Sequence, residues 1–324
     1  MKLLITGVGG YVGGALAKAA ERQGHDVVGV ARTHAEKPIH EVQLVHGELS
    51  QPVDPSSALA EALRTSEVVV HAAGRIRGSR REEFTRDNVD ATKSILRAAR
   101  DAGVRRFVHV GSTAVYGDRA PEKGVVTEES LLGYRISRLD HYSQTKLQAE
   151  LEILSAMQDR DIEVVSIRPG WIIGSGDGNL DEIAERLSGP LFPLIGRGEN
   201  RLPVTSIESV TAALLLGATH SAAAGRVYNV AQDEEISQRT FFEAIARMKK
   251  VKPRLLPLPT SLLNRVGLIA EVLGSVAVSF DPPISRNVVA LLGLDADFPT
   301  ERIRSELGWE PAAPIADVLR DALT

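Results

Sequence analysis

The chain has 324 residues, more than a single hydrophobic core usually spans, so one large domain with an added lobe, or two domains, is expected. The hydrophobic share of 43% and the charged share of 25% are typical of a globular protein, and a formal net charge of -4 gives no general attraction to nucleic acid or anionic lipid. The absence of cysteine excludes disulfides, thiolate nucleophiles and cysteine-bound metals, and is compatible with a cytoplasmic protein.

Membrane spans and metal sites are both disfavoured. Glycines interrupt the N-terminal stretch MKLLITGVGGYVGG, which predicts folded structure and not a signal peptide. Residues 261–280 are long enough to span a bilayer, but they include Arg265 and Glu271, which favours a buried or amphipathic helix. The eight histidines lack metal-ligand spacing, so no metal site is predicted.

Short apolar, β-branched runs alternate with segments of helical periodicity through the first half of the chain. This alternation predicts an α/β fold with a doubly wound parallel sheet, the Rossmann arrangement, connected by right-handed crossovers. Strands are predicted at 3–6, 26–31, 42–45, 67–73, 106–112 and 163–168, and helices at 12–23, 57–65, 82–102 and 138–158.

The amino-acid composition changes after Pro169, where glycine and proline become frequent. The tail from Pro253 onward predicts helices broken by prolines, so we expect a smaller, mainly helical C-terminal lobe that binds the substrate. The predicted NADP-binding domain covers 1–175 and a returning segment, about 204–232, which contains the possible strand RVYNV; the predicted substrate lobe covers 176–203 and 233–324.

The first predicted strand runs directly into a glycine-rich turn. Gly7 permits a tight turn, Gly10 lets the backbone approach a pyrophosphate, and Gly13 lets the next helix pack near the strand. Tyr11 and Val12 open that helix, whose N-terminal N–H groups can bind phosphate. This order predicts a dinucleotide site, and the alternative is a glycine turn without a ligand.

The end of the second strand indicates which dinucleotide binds. A site that prefers NAD places an acidic residue there, whereas this chain has Ala31 and Arg32. A guanidinium can bind a 2'-phosphate, so Arg32 favours NADP, with NAD or an ordinary exposed arginine as the alternatives. Lys37 lies in the same loop. After the third strand, Glu48 could accept a hydrogen bond from the adenine amine and Leu49 could pack on the ring.

A tyrosine and a lysine one helical turn apart form the candidate reacting centre. Tyr142 and Lys146 share one helix face in the stretch DHYSQTK. A phenol with its ordinary pKa of about 10 is a poor base at neutral pH, and the Lys146 ammonium would lower that pKa and hold a cofactor ribose. Ser112 ends the strand RFVHVGS and would bind the substrate oxygen, with Thr113 as second choice. The alternative is that Tyr142 and Lys146 only pack on an exposed helix face.

Together these residues resemble the extended short-chain dehydrogenase/reductases, which include nucleotide-sugar epimerases and 3β-hydroxysteroid dehydrogenase-like enzymes. The resemblance covers essentially the whole chain. Its motifs here are Thr6-Gly7-x-x-Gly10-x-x-Gly13, His71-Ala72-Ala73-Gly74, Asn88-Val89, Ser112 to Gly117, Tyr142-x-x-x-Lys146 and Arg168-Pro169-Gly170.

The resemblance implies a role for each matching residue. Tyr142 would be the general acid/base, Lys146 its pKa modifier and ribose anchor, and Ser112 the donor to the substrate oxygen. Asn88 would support the site near the cofactor, and further cofactor contacts would come from Ala72, Ala73, Gly74 and Pro169. Members commonly dimerise through the helices that here span 89–102 and 142–156, so a homodimer is expected.

Departures from the family pattern favour one of its branches. Thr113-Ala114 stands where sugar dehydratases carry Asp-Glu, which disfavours dehydration. Epimerases usually keep an acid at the end of the second strand, where this chain has Ala31-Arg32. The segments RLLPLPTSLL, the apolar run to Phe280 and Asp281 to Ser285 could line an apolar pocket or could form only the core of the lobe.

Three functions follow as hypotheses. The first is an NADP(H)-dependent oxidoreductase that interconverts a secondary alcohol and a ketone on a small to medium, largely apolar substrate, with hydride transfer at nicotinamide C4 and proton transfer by Tyr142. The second is a nucleotide-sugar 4-epimerase with tightly bound NAD, for which Arg197 and Arg201 could bind a diphosphate. The third is a non-catalytic NADP-binding sensor, which the presence of both Tyr142 and Lys146 disfavours.

Overall fold

The computed structural model describes residues 1–32, 42–117, 124–138, 140–159, 161–231, 234, 236–259, 261–263 and 295–323. The strands in this part of the chain are β1 (Lys2–Thr6), β2 (Asp26–Ala31), β3 (Gln43–His46), β4 (Val68–His71), β5 (Arg106–Val110), β6 (Glu163–Pro169), β7 (Trp171–Ile173), β8 (Phe192–Ile195), β9 (Val204–Ser206), β10 (Val227–Val230) and β11 (Leu255–Leu258). The α-helices are α1 (Tyr11–Arg22), α2 (Ala58–Thr65), α3 (Arg81–Phe84), α4 (Ala91–Asp101), α5 (His141–Ala156), α6 (Gly178–Leu187), α7 (Ile207–Thr219), α8 (Gln238–Met248), α9 (Glu301–Leu307) and α10 (Ile315–Leu323).

A seven-stranded sheet with the order β10-β6-β5-β4-β1-β2-β3 forms the centre of the molecule, and every neighbouring pair is parallel. The chain proceeds from β1 to β3 in one direction and from β4 to β10 in the other. The strand order therefore reverses between β1 and β4, and a doubly wound sheet binds its ligands beyond the carboxyl ends of the strands at such a point. The predicted doubly wound fold is confirmed.

Both faces of the sheet are covered by helices, which explains why its strands are apolar throughout. Leu3 and Ile5 of β1 pack in a core shared with α1, α7 and α9, whereas Leu4 packs in the opposite core, shared with α2, α4 and α5. Successive side chains of a strand alternate between faces, so one strand supplies both layers.

The predicted helix at 82–102 is divided into three parts. After α3 the chain forms a π-helical turn over Thr85–Asp90 and then continues as α4. A π turn holds one extra residue per hydrogen-bonded ring and occurs often at functional sites. Here the extra residue sets the directions of Asp87 and Asn88, both of which are buried.

Residues after β6 build a second group of elements beside the sheet. Strand β7 pairs with β9, β8 pairs with β11, and a separate core includes Leu180, Phe241 and Leu319 from α6, α8 and α10. The prediction that the tail from Pro253 is helical is wrong for Leu255–Leu258, which form β11. In a two-stranded sheet β11 is an edge strand, where Pro257 is tolerated despite lacking an N–H group.

The predicted apolar helix at 261–280 lies outside the described residues beyond Leu263, as do Asp281 to Ser285. Among the helices that the structure describes, none has the length and apolar character needed to cross a membrane.

Candidate active site

The glycine turn between β1 and α1 has the backbone that a phosphate-binding loop requires. Gly7 has φ of +71°, and a Cβ atom there would lie 2.7 Å from the Ala73 backbone. A Cβ atom at Gly13 would lie 2.2 Å from the Gly7 carbonyl oxygen, so only glycine lets α1 start this close to the strand. Gly10 is the N-cap of α1 and supplies no side-chain acceptor, which leaves the N–H groups of the first turn for a bound phosphate. The turn therefore fits a dinucleotide pyrophosphate.

Tyr11 joins this turn to the segment that follows β7. Its hydroxyl is buried, would lie 2.8 Å from a Cβ atom at Gly174, and has no hydrogen-bond partner among the described residues. Burial, together with the charges of Asp177 and Glu208, raises the pKa of Tyr11. The phenol is therefore neutral and acts as a spacer between the two segments.

A buried polar chain connects the end of β4 to the π turn. The Thr92 hydroxyl donates its only proton to the Asn88 carbonyl oxygen at 2.6 Å, so it must accept from Nε2 of His71 at 3.0 Å. His71 Nδ1 then accepts from the Thr6 hydroxyl at 2.8 Å, which itself accepts the Ala73 N–H at 3.2 Å. Burial, then the charge of Lys146, lowers the pKa of His71 to about 3, so this neutral tautomer persists at physiological pH.

Asn88 ties the loop after β4 to the helix that carries the candidate reacting residues. Its Oδ1 accepts the Arg75 N–H at 2.6 Å, and its Nδ2 donates to the Thr145 hydroxyl at 3.0 Å. Thr145 in turn donates towards the His141 and Tyr142 carbonyl oxygens, at 2.7 and 3.1 Å. Ala72, Ala73 and Gly74 are thus held beside the glycine turn, and the first turn of α5 is fixed against them.

Ser112, Tyr142 and Lys146 meet at the carboxyl end of β5. Ser112 is 9% exposed, its hydroxyl caps a 3-10 turn by accepting the Ala114 N–H at 3.1 Å, and it lies beside the Tyr142 phenol. Lys146, also 9% exposed, donates its Nζ to the Val110 carbonyl oxygen at 2.6 Å. Helix α5 starts at its N-cap Asp140, whose Oδ1 accepts the Ser143 N–H, so the first turn holds Tyr142 in place.

The charges at this centre are set by desolvation. Burial raises the pKa of Tyr142, the Ser112 hydrogen bond opposes that rise, and Asp140 adds to it. Burial lowers the pKa of Lys146 to about 8, while the charge of Glu150 acts in the opposite direction. The expected lowering of the tyrosine pKa by Lys146 is therefore not what the protein alone produces, because burial of the phenol outweighs any such effect.

A buried ionic network lies one turn beyond Lys146, and spacing alone did not predict it. Glu150 is 0% exposed and pairs with the Arg168 guanidinium at 2.8 Å, and the Ser166 hydroxyl lies 2.9 Å from both of its oxygens. Arg168 also donates to the Tyr116 hydroxyl at 2.8 Å, which donates to Asn229 at 2.7 Å. The network joins α5, β6, the 3-10 turn after Ser112 and β10. The sequence offered one signal for this network: Glu150 follows Lys146 by four residues, as Lys146 follows Tyr142, so all three share one helix face.

At the ends of β2 and β3, the residues predicted to contact the adenosine have partners within the protein. Arg32 lies at the end of β2, and its Nη1 pairs with Asp87 at 3.0 Å. Glu48 accepts hydrogen bonds from the N–H and hydroxyl of Ser50, and Leu49 is buried in the core with α2 and α4. Lys37 lies outside the described residues.

The remaining predicted residues lie near the same edge of the sheet. Pro169 is buried at the end of β6, and Thr113 follows Ser112 in the 3-10 turn with 4% exposure. Arg201, a candidate diphosphate ligand, donates its N–H and Nε to Asp295 at 3.1 and 3.2 Å. That arginine already has a carboxylate partner.

Comparisons with known proteins agree with this arrangement. The sequence profile of the NAD-dependent epimerase/dehydratase family matches residues 3–231. A 2-alkyl-3-oxoalkanoate reductase of Stenotrophomonas maltophilia is 26% identical over 99% of this chain and 98% of its own, and a 3-beta-hydroxysteroid dehydrogenase of Mycolicibacterium neoaurum is 24% identical over 99% and 90%.

The fold also matches solved structures. The structure of MoeE5 in complex with UDP-glucose and NAD has a TM-score of 0.74 at 23% identity, covering 100% of this chain and 97% of that one. At that identity the likeness shows the shared fold only. The family profile covers most of the chain, including β1 to β10, and the full-length relatives are dehydrogenases and reductases. The chain belongs to the NAD-dependent epimerase/dehydratase family and is an NAD(P)-dependent dehydrogenase or reductase of the extended short-chain type.

Proposed function

We propose that this protein is an NADP(H)-dependent oxidoreductase that interconverts a ketone and a secondary alcohol on a small to medium, largely apolar substrate. One observation carries the proposal: Ser112 and Tyr142 lie side by side beyond the carboxyl end of β5, and the buried Lys146, one helical turn after Tyr142, is fixed to that strand end by donating to the Val110 carbonyl oxygen at 2.6 Å. Two hydroxyl groups that can both hydrogen-bond one substrate oxygen, with an ammonium group nearby, are suited to a carbonyl oxygen that gains or loses a proton.

Each residue of this centre has a proposed task. Ser112 donates a hydrogen bond to the substrate oxygen, and Tyr142 delivers or removes the proton there. Lys146 binds a cofactor ribose and stabilises any phenolate charge, while Asn88 positions the first turn of α5 through Thr145. When bound, the nicotinamide supplies or accepts the hydride.

The protonated form of Tyr142 is the form that the reductive direction requires. Because burial raises the pKa of this phenol, the protein holds it protonated at neutral pH. A protonated phenol is the form needed to donate to a carbonyl oxygen that is being reduced. The full-length similarity to a 2-alkyl-3-oxoalkanoate reductase supports the same direction and suggests ketones on alkyl chains as the first substrates to test.

The choice of cofactor follows from the end of β2. No acidic residue occupies positions 31 and 32, where a carboxylate would bind a ribose 2'-hydroxyl, and Arg32 supplies a positive charge instead. This arrangement supports NADP(H) over NAD(H).

The test is a substrate panel read at the nicotinamide absorbance. NADPH would be offered with 2-alkyl-3-oxo acids, a 3-ketosteroid and UDP-glucose, and the products identified by mass spectrometry. We expect consumption of NADPH with an equal yield of alcohol from at least one apolar ketone. Conversion of UDP-glucose to its 4-epimer without net consumption of cofactor would instead establish the epimerase, and inactivity with every carbonyl would contradict the proposal.

A further inference from the structure

A buried carboxylate gathers three arginines between the ends of β2 and β4. Asp87, whose side chain is 5% exposed, accepts from Arg32 Nη1 at 3.0 Å and Arg75 Nε at 2.9 Å on one oxygen, and from Arg86 Nε at 2.8 Å on the other. We propose that Arg75 binds the 2'-phosphate of NADP(H) together with Arg32, and that Asp87 is the positioning residue that brings the two guanidiniums together. This inference rests on the NADP(H) preference proposed above.

The location of the cluster points to the adenosine end of the cofactor. Strand β1 lies between β2 and β4 in the sheet, so the glycine turn that follows β1 is flanked by Arg32 on one side and by the loop of Arg75 on the other. Asn88 fixes that loop through the Arg75 N–H and carbonyl groups, at 2.6 and 3.1 Å. A nucleotide whose pyrophosphate lies at the glycine turn would thus have both arginines beside its ribose.

The two guanidiniums are close enough to share one phosphate. Their nitrogens contact the same Asp87 oxygen and therefore lie no more than about 6 Å apart, a gap that a phosphate group can bridge with hydrogen bonds of ordinary length. Arg32 is 54% exposed, so most of its N–H groups face solvent, while Arg75 is 24% exposed. Arg32 contacts Asp87 through Nη1, so its planar fork can donate to two phosphate oxygens at once. Arg75 uses Nε on Asp87 and Nη1 on Glu83 and the Arg77 carbonyl oxygen, so it would donate to the phosphate through Nη2.

Asp87 itself is unsuited to the role of a ribose acceptor. The oxygen that accepts from Arg32 and Arg75 has both lone pairs engaged, and the other accepts from Arg86. Although burial acts to raise the pKa of Asp87, hydrogen bonds from Arg86 and Arg75 and the charge of Arg32 lower it on balance, so the carboxylate stays ionised. One buried negative charge among three positive charges leaves the cluster net positive, even though Glu83 pairs with Arg75 at 3.1 Å.

Nucleotides without nicotinamide test the inference independently of turnover. Dissociation constants for 2',5'-ADP and 5'-ADP would be measured by calorimetry for the unmodified protein and for Arg75→Met, Arg32→Ala and Asp87→Asn. Arg75→Met should weaken 2',5'-ADP about tenfold to a hundredfold and change 5'-ADP by about twofold or less. Asp87→Asn should also lower the ratio of the two affinities, whereas general damage to the fold would lower both affinities together.

Arg80 provides a matched control. It lies in the same loop, is 66% exposed and pairs with Glu83 at 3.7 Å without contacting Asp87, so Arg80→Met removes an equal charge nearby. We expect it to retain the preference for 2',5'-ADP.

The outcomes of these titrations distinguish the role of Arg75 from the NADP(H) preference itself. If Arg32→Ala abolishes the preference and Arg75→Met retains it, the NADP(H) proposal stands and the inference about Arg75 is wrong. If the unmodified protein binds both nucleotides equally, the NADP(H) preference fails and the inference fails with it. If Arg75→Met and Arg80→Met weaken 2',5'-ADP equally, only diffuse charge is involved and the inference is again overturned.

Discussion

Near the end of β2, Arg32 and Arg86 pair with Asp87 while remaining 54% and 46% exposed, whereas between α5 and β6 Glu150 and Arg168 pair with 0% and 1% of their side chains exposed. Exposed guanidiniums keep N–H groups in water and are weakened by salt, so a ligand anion can take up those groups at little cost. Buried charges are not rehydrated when their ion pair is broken, so a buried pair keeps its two residues in one fixed geometry. We therefore expect the exposed group around Asp87, the wet end, to select the cofactor, and the buried pair of Glu150 and Arg168, the dry end, to control the reacting geometry.

The largest expected effect comes from the dry end. Tyr142→Phe removes the phenol proton and should lower turnover by about a hundredfold to ten-thousandfold, because Tyr142 is the proposed proton donor beside Ser112. Cofactor affinity should change by only a few-fold. Steady-state kinetics and cofactor titration check both, with Tyr134→Phe, at an exposed tyrosine, as control. Unchanged turnover in Tyr142→Phe would remove the proposed role.

Helix α5 carries one carboxylate in a buried ion pair and one in an exposed ion pair, so the two can be compared directly. Glu150→Gln leaves the buried Arg168 without its counter-charge and should cost about 3–5 kcal/mol of unfolding free energy. Glu152→Gln, two residues further along α5, breaks an exposed pair with Lys93 at 2.9 Å and should cost less than about 1 kcal/mol. Urea unfolding measures both variants, and equal losses would mean that burial does not change what an ion pair on this helix contributes to stability.

At the wet end, Arg32→Ala should weaken NADP by about tenfold to a hundredfold and NAD far less, since the lost interaction is a charge-assisted hydrogen bond to the 2'-phosphate. The preference of the unmodified protein for NADP should also shrink as salt is added, because both guanidinium and phosphate are exposed. Fluorescence titration with both cofactors at low and high salt checks this. A preference that does not depend on salt would place the discriminating group at a buried position.

The smallest expected effect is on stability in acid. His71 and His109 are buried and their pKa values lie below the ordinary value of 6.5 because burial disfavours the charged ring, so each opposes folding once the unfolded chain binds protons below that pH. Stability is thus fully present above pH 6.5 and falls as the pH falls. His109→Leu should reduce the loss between pH 6.5 and 5 by about 1.5 kcal/mol. Thermal unfolding across that range would show the same slope in both proteins if His109 were already charged when folded.

Local spacing predicted much of the fold and the centre of the candidate site. The glycine turn, the strand that leads to Ser112 and the pair of Tyr142 and Lys146 are each contained in one short stretch, and their structure follows from that stretch. The sheet follows because strands covered on both faces must be apolar. The strand at Leu255–Leu258 escaped prediction because its proline pattern resembles a broken helix and its partner β8 is far away in sequence.

The ionic groups around the site could not be predicted in the same way. Asp87 meets Arg32 across 55 residues and Arg75 across 12, and Glu150 meets Arg168 across 18, so only the folded chain brings them together. The burial of Leu49 in the core could not be predicted either, because the neighbouring residues do not show whether its side chain packs inward or onto a ligand. The direction of the Tyr142 pKa depends on burial, which spacing along a helix does not reveal.

The π turn at Thr85–Asp90 makes the length of this segment as important as its composition. Two adjacent residues of this turn have partners on different sides of the site: Asp87 accepts from the arginines, and Asn88 donates to Thr145 of α5. Removing one residue here would replace the π turn by regular helix and shift Asp87 and Asn88 relative to their partners. Asn88 would then lose its hydrogen bond to Thr145. Over evolutionary time, point substitutions on the exposed face of this helix are therefore expected to accumulate, while insertions and deletions within it are eliminated.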